Sequence, residues 1–251
     1  MKAALVERLL AAKSGRRAVA LVTDLGSNAQ AIFAPGTPDN PSGNPLGLSP
    51  AQRDAVQAVL DANLSDEIEI EGRRLFVQAR VPNPRVIVVG AVHITQALAP
   101  MAALAGYEVI VVDPRRAFAT PERFPGVALR HDWPDEALDA LVLDARSAVV
   151  TLTHDPKIDD PALDRALKSS AFYIGALGSR KTHAARLHRL AKAGFDEATM
   201  ARIHGPAGLA IGAKSPAEIA VSVLAQMTAA RHGKPTRFPE ISAEAAPAAA
   251  Q

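Results

Sequence analysis

The segment VIVVGAVHITQALAPMAALAGYEVIVVD, residues 86–113, determines the fold of the larger part of this chain. It begins with a continuous apolar run that ends at Gly90, continues with a helical segment over residues 94–105, and closes with a second apolar run that ends at Asp113. Apolar runs without alternation are typical of strands that are buried on both faces of a parallel sheet. The order strand, helix, strand therefore predicts a βαβ unit of a Rossmann-type sheet.

The same alternation continues to about residue 233. Apolar strand patterns occur at residues 127–129, 148–155 and 171–179, and helical patterns occur at residues 135–141, 161–169, 182–193 and 216–231. We therefore predict an α/β fold with a Rossmann-type parallel sheet domain over residues 84–239.

A different pattern precedes this domain. It consists of a helix at residues 2–13, a strand at 18–23, a Pro/Gly-rich loop at 35–50, a helix at 50–63 and a hairpin at 67–80. We predict a smaller α+β amino-terminal domain over residues 1–83, with the boundary in the segment Val81-Pro82-Asn83-Pro84. The Ala-rich residues 240–251 are expected to form a disordered tail.

Composition excludes several classes of function. The net charge is +2, from 28 basic and 26 acidic residues without a Lys/Arg run, so no nucleic-acid partner is expected. The chain has no cysteine, which excludes disulfides, thiolate metal sites and thiol nucleophiles. Charges at Glu7 and Arg8 argue against a signal peptide, and polar residues interrupt the most apolar region, residues 87–112, so no membrane span is predicted. We expect a cytoplasmic protein.

The turn after the first strand is compared with the dinucleotide motif G-x-G-x-x-G, in which glycines let the backbone approach a pyrophosphate. Gly90 fills the first position, but Val92 and Thr95 fill the second and third. A β-branched residue at the second position disfavours NAD(P), although Asp113 is well placed for a ribose hydroxyl. His93, just after the turn, is either a helix-terminal residue or a ligand contact.

A second candidate segment is TLTHDPKIDDPAL, residues 151–163. Thr153, His154 and Asp155 follow a buried strand, and open α/β sheets bind ligands at the carboxyl ends of their strands. The alternative is a polar strand end in which Asp159 or Asp160 caps the next helix.

A third segment is YIGALGSRKTHAARLHRL, residues 173–190. Gly175 and Gly178 are expected to bracket a turn, after which a helix begins with polar and basic residues. The amino terminus of a helix favours an anion, and two cations strengthen that preference. The alternative is a capped helix with solvated charges. The residues proposed to line this anion site are Ser179, Arg180, Lys181, Thr182 and His183.

The fourth segment, IHGPAGLAIGAKSPAEIA, residues 203–220, precedes a well-capped helix. Gly205, Pro206 and Gly208 predict an extended loop whose backbone can approach a ligand or another chain. An irregular connection is the alternative. The histidines of the chain do not have the spacing of a zinc helix, and no metal site is predicted.

Taken together, these four segments resemble the XdhC/CoxI family over residues 84–232. The resemblance implies a Rossmann domain behind a smaller domain, commonly in a dimer. It also implies an accessory protein that binds the molybdenum cofactor (molybdopterin), protects it during maturation and delivers it to an apo molybdenum hydroxylase such as xanthine dehydrogenase. An oxidoreductase that binds NAD(P), or a nucleotide-binding sensor, is the alternative.

This chain departs from the family pattern in three places. Many members contain a Gly-Gly-Cys segment that this chain lacks, Val92 stands where the family usually has Gly, and Ala210 replaces the Asp of a G-L-D-I-G loop. We therefore interpret the chain as a divergent or partial member that is more consistent with a maturation factor than with an enzyme. A second accessory protein would supply the missing part.

Overall fold

The computed structural model describes residues 3–36 and 45–236. The chain divides into two compact units, with the division between Pro82 and Asn83. The predicted tail, residues 240–251, lies outside the described residues, as does part of the predicted loop at 35–50.

The first unit is a four-stranded antiparallel sheet with a helix against each face. Its elements are α1 (Ala3–Ser14), β1 (Val19–Asp24), β2 (Gln30–Phe33), α2 (Pro50–Asp61), β3 (Ser65–Ile70) and β4 (Arg73–Arg80). The strand order is β2-β1-β4-β3. Side chains alternate along β1, so Ala20 and Val22 pack with α2 while Val19 and Leu21 pack with α1.

Local sequence signals explain two of these elements. Glu71 and Gly72 both have positive φ, of 52° and 72°, which is the geometry of a tight hairpin turn between β3 and β4. Ser49 and Gln52 form a capping box at the start of α2. The hairpin and this helix agree with the sequence predictions, whereas β2 was not predicted.

The second unit is a six-stranded parallel sheet. Its elements are β5 (Arg85–Val89), α3 (His93–Leu104), β6 (Glu108–Val112), β7 (Ala128–Arg130), α4 (Pro134–Leu141), β8 (Ser147–Thr151), α5 (Pro156–Leu167), β9 (Tyr173–Ala176), α6 (Arg180–Lys192), α7 (Glu197–Met200), β10 (Ile203–His204) and α8 (Pro216–Arg231). The strand order is β10-β9-β8-β5-β6-β7, and every pairing is parallel. The predicted Rossmann-type fold is confirmed.

Both faces of this sheet are covered, which accounts for the continuous apolar runs. Val86 and Val88 of β5 pack in a core with α3 and α8, whereas Ile87 and Val89 pack in a second core with α4, α5 and α6. All five residues of β5 are buried. Among the described residues, no helix is long and apolar enough to cross a membrane.

The order of the strands reverses at one point of the sheet. From β5 the chain proceeds outward through β6 and β7, then returns to the other side of β5 and proceeds outward through β8, β9 and β10. Open α/β sheets bind ligands where the strand order reverses, at the carboxyl ends of the strands. In this chain that point lies between β5 and β8.

Two details of the sequence interpretation were wrong, and two elements were not predicted. The helix expected at residues 161–169 begins at Pro156, because Asp155 and not Asp159 or Asp160 caps it. Gly175 lies inside β9 and does not bracket a turn. The segment before the glycine-rich loop contains α7 and the short strand β10, neither of which was predicted.

Candidate binding site at the carboxyl edge of the parallel sheet

Four segments follow four strands at the carboxyl edge of the sheet: residues 90–93 follow β5, residues 153–155 follow β8, residues 178–183 follow β9 and residues 205–208 follow β10. Because the four strands are parallel neighbours, the predicted site segments all lie on this one edge. Gly175 is the exception, since it is buried within β9 against the ring of Tyr173.

The turn after β5 is packed closely against the segment that follows β8. Gly90 has φ of +116°, and a Cβ atom on it would lie 2.7 Å from Cγ2 of Thr153. This position therefore requires glycine for both its backbone conformation and the close approach. Val92, at the N-cap of α3, packs against the core, and His93 is the exposed first residue of that helix.

Asp113, the residue after β6, is buried, and hydrogen bonds occupy its carboxylate. Its carboxylate accepts hydrogen bonds from the backbone N–H of Ala91 at 2.8 Å and from Nε and Nη2 of Arg115 at 2.9 and 2.8 Å. Burial raises the pKa of Asp113, but the hydrogen bonds from Arg115 and Ala91 outweigh that effect and hold the pKa below its ordinary value. The side chain has no exposed surface, so in this structure it fixes the Gly90 turn.

Asp159 of α5 organises the segment that follows β8. It accepts hydrogen bonds from the hydroxyl of Thr153 at 2.6 Å and from the backbone N–H groups of Thr153 and His154 at 3.3 and 3.2 Å. Asp155 accepts from the N–H of Lys157 as the cap of α5. The side chains of Thr153 and Asp155 thus form hydrogen bonds with the first residues of α5.

His154 differs from its two neighbours. Its φ is +63°, a conformation that costs a non-glycine residue energy and that persists only where the surroundings impose it. Its side chain is exposed. Asp155 is also exposed but uses its carboxylate to cap α5, so His154 is the predicted residue of this segment whose exposed side chain has no such role.

The amino terminus of α6 follows β9. Ser179 is the N-cap, and its hydroxyl accepts a hydrogen bond from the N–H of Thr182. In the part of the chain that the structure describes, the backbone N–H groups of Arg180 and Lys181 have no acceptor, and the two exposed side chains have no ion-pair partner. Two amide donors, two cations and a helix dipole are therefore available to an anion here.

A buried ion pair connects these two segments. Nη2 of Arg186 lies 3.9 Å from Oδ2 of Asp159 and donates a hydrogen bond to the carbonyl oxygen of Leu177 at 2.8 Å. Arg186 is 2% exposed and Asp159 1%. Burial raises the pKa of Asp159 and lowers that of Arg186, and in each case the partner's charge offsets only part of the shift.

The glycine-rich loop after β10 is held by close contacts. A Cβ atom on Gly205 would lie 2.1 Å from Nδ1 of His183, and one on Gly208 would lie 2.3 Å from Oγ of Ser222. The side-chain carbonyl of Gln226 accepts hydrogen bonds from the N–H of Gly208 and from the hydroxyl of Tyr173. His183 of α6 thus lies directly against Gly205, the residue before Pro206.

Asp159, Arg186 and Arg115 shape the site, although none of them was predicted to do so. Asp159 was interpreted as a cap, and nothing in the order of residues distinguishes the buried Arg186 from the exposed cations of the same helix. The order Asp113-Pro114-Arg115 was a usable signal for the pairing of Arg115. Within the described residues, no group of three metal-ligating side chains is placed to hold a metal ion.

The model of the XdhC Rossmann domain matches residues 86–227 of this chain. Over 158 residues the chain is 35% identical to a Bacillus subtilis protein named as a probable xanthine dehydrogenase subunit, covering 62% of this chain and 46% of that protein. Over 150 residues it is 31% identical to the molybdenum cofactor insertion chaperone PaoD of Escherichia coli, covering 60% of this chain and 41% of PaoD.

A third relative, the Escherichia coli protein YqeB, is 34% identical over 163 residues, which cover 64% of this chain and 30% of YqeB. The chain therefore spans less than half the length of these curated relatives. A crystal structure described as a xanthine dehydrogenase from Bacillus halodurans superposes with a TM-score of 0.62, covering 92% of this chain and 64% of that one, at 21% identity. At that identity the match supports the fold alone.

Proposed function

This chain belongs to the XdhC family, whose Rossmann domain matches more than half of it, and from this premise we propose that it is an accessory protein for a molybdenum hydroxylase. In this proposal it binds the molybdenum cofactor and assists its maturation or its insertion into a xanthine dehydrogenase-type enzyme. The names of two relatives, a cofactor insertion chaperone and a probable xanthine dehydrogenase subunit, support this direction.

The observation that carries the proposal is the placement of two kinds of polar group on adjacent strands. Arg180 and Lys181 offer cations at the start of α6, after β9. The strained, exposed His154 follows β8, the next strand in the sheet. A phosphorylated pterin requires an anion site and hydrogen-bonding groups for a heterocycle, and the residues present fit both requirements.

We propose the following division of roles. The phosphate is held by the backbone N–H groups and side chains of Arg180 and Lys181, and the pterin lies toward His154. Gly205 and Gly208 form a wall, since their loop packs against His183 on α6. Asp159 and Arg186 do not contact the ligand in this scheme, and they position the two segments that do.

A nicotinamide-dependent oxidoreductase receives no support from the geometry. The carboxylate of Asp113, which would accept a ribose hydroxyl in such an enzyme, is saturated by Arg115 and Ala91. We also propose that the chain forms a homodimer and that it works with an apo-hydroxylase and a second accessory protein. Light scattering of the purified chain tests the first of these assembly proposals.

The experiment is to co-express the chain with a xanthine dehydrogenase-type hydroxylase, purify the chain, and quantify the bound small molecule by mass spectrometry. The variants are Arg180→Ala with Lys181→Ala, and His154→Ala. Lys13→Ala, which removes an exposed cation from the last turn of α1, is the control.

We expect the double variant to lose at least about tenfold in cofactor retention, because two charge-assisted contacts to a phosphate are removed. The control should retain the cofactor. Normal retention and normal hydroxylase maturation in both site variants, with the fold intact by circular dichroism, would place the site elsewhere.

A further inference from the structure

The glycine-rich loop, residues 205–208, follows β10 and is attached to its surroundings by backbone hydrogen bonds at two points. The N–H of Ala207 donates to the carbonyl oxygen of Ala176 in β9 at 3.0 Å. The N–H of Leu209, the residue after the loop, donates to the carbonyl oxygen of Ser222 in α8 at 3.1 Å. Backbone groups of this kind are present at nearly every residue, so these two bonds alone do not specify where the loop lies.

A side chain of α8 provides a third attachment. Oε1 of Gln226 accepts hydrogen bonds from the N–H of Gly208 at 2.8 Å and from the hydroxyl of Tyr173 in β9 at 2.7 Å. Its Nε2 donates to the carbonyl oxygen of Thr236, after α8, at 2.9 Å. Because the backbone N–H of Gly208 can only donate and the carbonyl of Thr236 can only accept, these two partners determine which way the amide of Gln226 points.

The surroundings of Gln226 are apolar. The residue is 3% exposed, and α8 has no charged residue between Glu218 and Arg231. Its neighbours Val223 and Met227 are fully buried in the core on this face of the sheet. Burial of an amide costs free energy unless its hydrogen bonds are made. The bonds that Gln226 forms therefore account for a polar side chain at this position, and one of them holds the loop.

The position of the loop affects the first turn of α6. A Cβ atom on Gly205 would lie 2.1 Å from Nδ1 of His183, so the backbone of the loop lies directly against the imidazole ring. His183 is three residues after Arg180, which begins this helix and belongs to the proposed phosphate site. A small displacement of the loop would therefore either bring it into collision with His183 or leave a gap beside that site.

We propose that Gln226 is a positioning residue, which fixes the glycine-rich loop against α6 and so sets the distance between Gly205 and the residues that bind the anion. In this scheme Gln226 acts through the loop and does not contact the ligand. The inference rests on the proposed function only for the ligand, because the placement of the loop can be measured without one.

The test variant is Gln226→Met, which keeps the length of the side chain but removes the acceptor for the N–H of Gly208. We expect hydrogen exchange of the Gly208 amide to become at least about fivefold faster, the effect of losing one ordinary hydrogen bond. The NMR signals of the His183 imidazole should shift, because Gly205 no longer has a fixed position against it. Retention of the molybdenum cofactor after co-expression with the hydroxylase should fall at least about threefold.

Two further variants separate positioning from stability. Met227→Ala removes a fully buried side chain from the same helix and the same core, and it leaves the bond between Gln226 and Gly208 in place. We expect it to lower the thermal midpoint at least as much as Gln226→Met does, while Gly208 exchange, the His183 signals and cofactor retention stay near their wild-type values. Gln226→Glu keeps an oxygen acceptor at the same reach and should restore slow exchange at Gly208. All measurements are made well below the midpoints.

Unchanged Gly208 exchange and unchanged His183 signals in the Gln226→Met variant would overturn the proposal. Equal changes in the Met227→Ala variant would also overturn it, because they would show that a loss of stability is sufficient to cause them. Faster exchange at Gly208 together with normal cofactor retention would contradict a role in the site. If the wild-type chain retains no cofactor while the loop still responds to Gln226→Met, the proposed function fails and the role of Gln226 in placing the loop is supported.

Discussion

Asp159 and Arg186 determine how the two segments of the candidate site are spaced. Asp159 binds the backbone of Thr153 and His154, and Arg186 binds the carbonyl of Leu177. In the described residues, Nε and Nη1 of Arg186 have no hydrogen-bond partner. A buried cation with unsatisfied donors depends strongly on the carboxylate beside it.

This dependence predicts an asymmetry between the two partners. Asp159→Ala removes both the acceptor for Thr153 and His154 and the nearest counter-charge of Arg186, so we expect a loss of about 3–5 kcal/mol in the free energy of unfolding. Arg186→Met should cost less, because Asp159 remains to accept the hydrogen bonds from Thr153 and His154. Urea denaturation at neutral pH measures both values. Equal losses in the free energy of unfolding for the two variants would show that the pair stabilises the fold mainly through its charges.

The pH dependence of unfolding gives an independent check. Burial raises the pKa of Asp159 above 3.8, so the folded state binds this proton more tightly than the unfolded state does. The contribution of Asp159 to stability therefore falls as pH rises from its unfolded pKa through its folded pKa. Arg186→Met should enlarge that contribution and extend its fall to higher pH, because the charge that lowers the pKa of Asp159 is removed, and Asp159→Asn should abolish it. Urea titrations from about pH 4 to about pH 8 make the comparison.

At the scale of elements, the apolar runs predicted most of the sheet, because a strand buried on both faces has a distinctive composition. β2, α7 and β10 have only four, four and two residues, too few for a period to be recognised. Pro161 was interpreted as a helix start, although it lies inside α5. The position of the site at the carboxyl edge was predictable from topology, whereas the burial of Arg186 depends on tertiary packing that no local pattern encodes.

The β5–α3 turn supports a prediction about nucleotides. We expect NAD and NADP to bind with Kd above about 100 µM, which is weaker than about −5.5 kcal/mol. Val92→Gly alone should not improve this value, because Arg115 and Ala91 still occupy the carboxylate of Asp113. Isothermal titration calorimetry on the wild type and the variant measures both. A micromolar complex with its pyrophosphate on the Gly90 turn would contradict this account of the turn.

At the scale of the whole molecule, the two units have separate apolar cores. The clusters around β1 and β4 contain only residues before position 82, and the clusters on the two faces of the parallel sheet contain only residues after position 83. Every residue of the candidate site belongs to the second unit. The proposed activity therefore requires, at minimum, residues 83–236.

This division predicts that a fragment of residues 83–236 folds without the first unit. Its size is near the usual size of a single domain, and it contains complete cores on both faces of its sheet, so we expect one cooperative thermal transition. The transition midpoint should lie within about 5 °C of the corresponding transition of the full chain, a difference on the order of 1–2 kcal/mol.

Residues 1–82 alone should be less stable, because a smaller unit buries a smaller fraction of its surface. Circular dichroism melts of the full chain and of each fragment measure the three midpoints. A fragment of residues 83–236 that melts without cooperativity would mean that the first unit completes the fold of the second, and the proposed domain boundary would then be wrong.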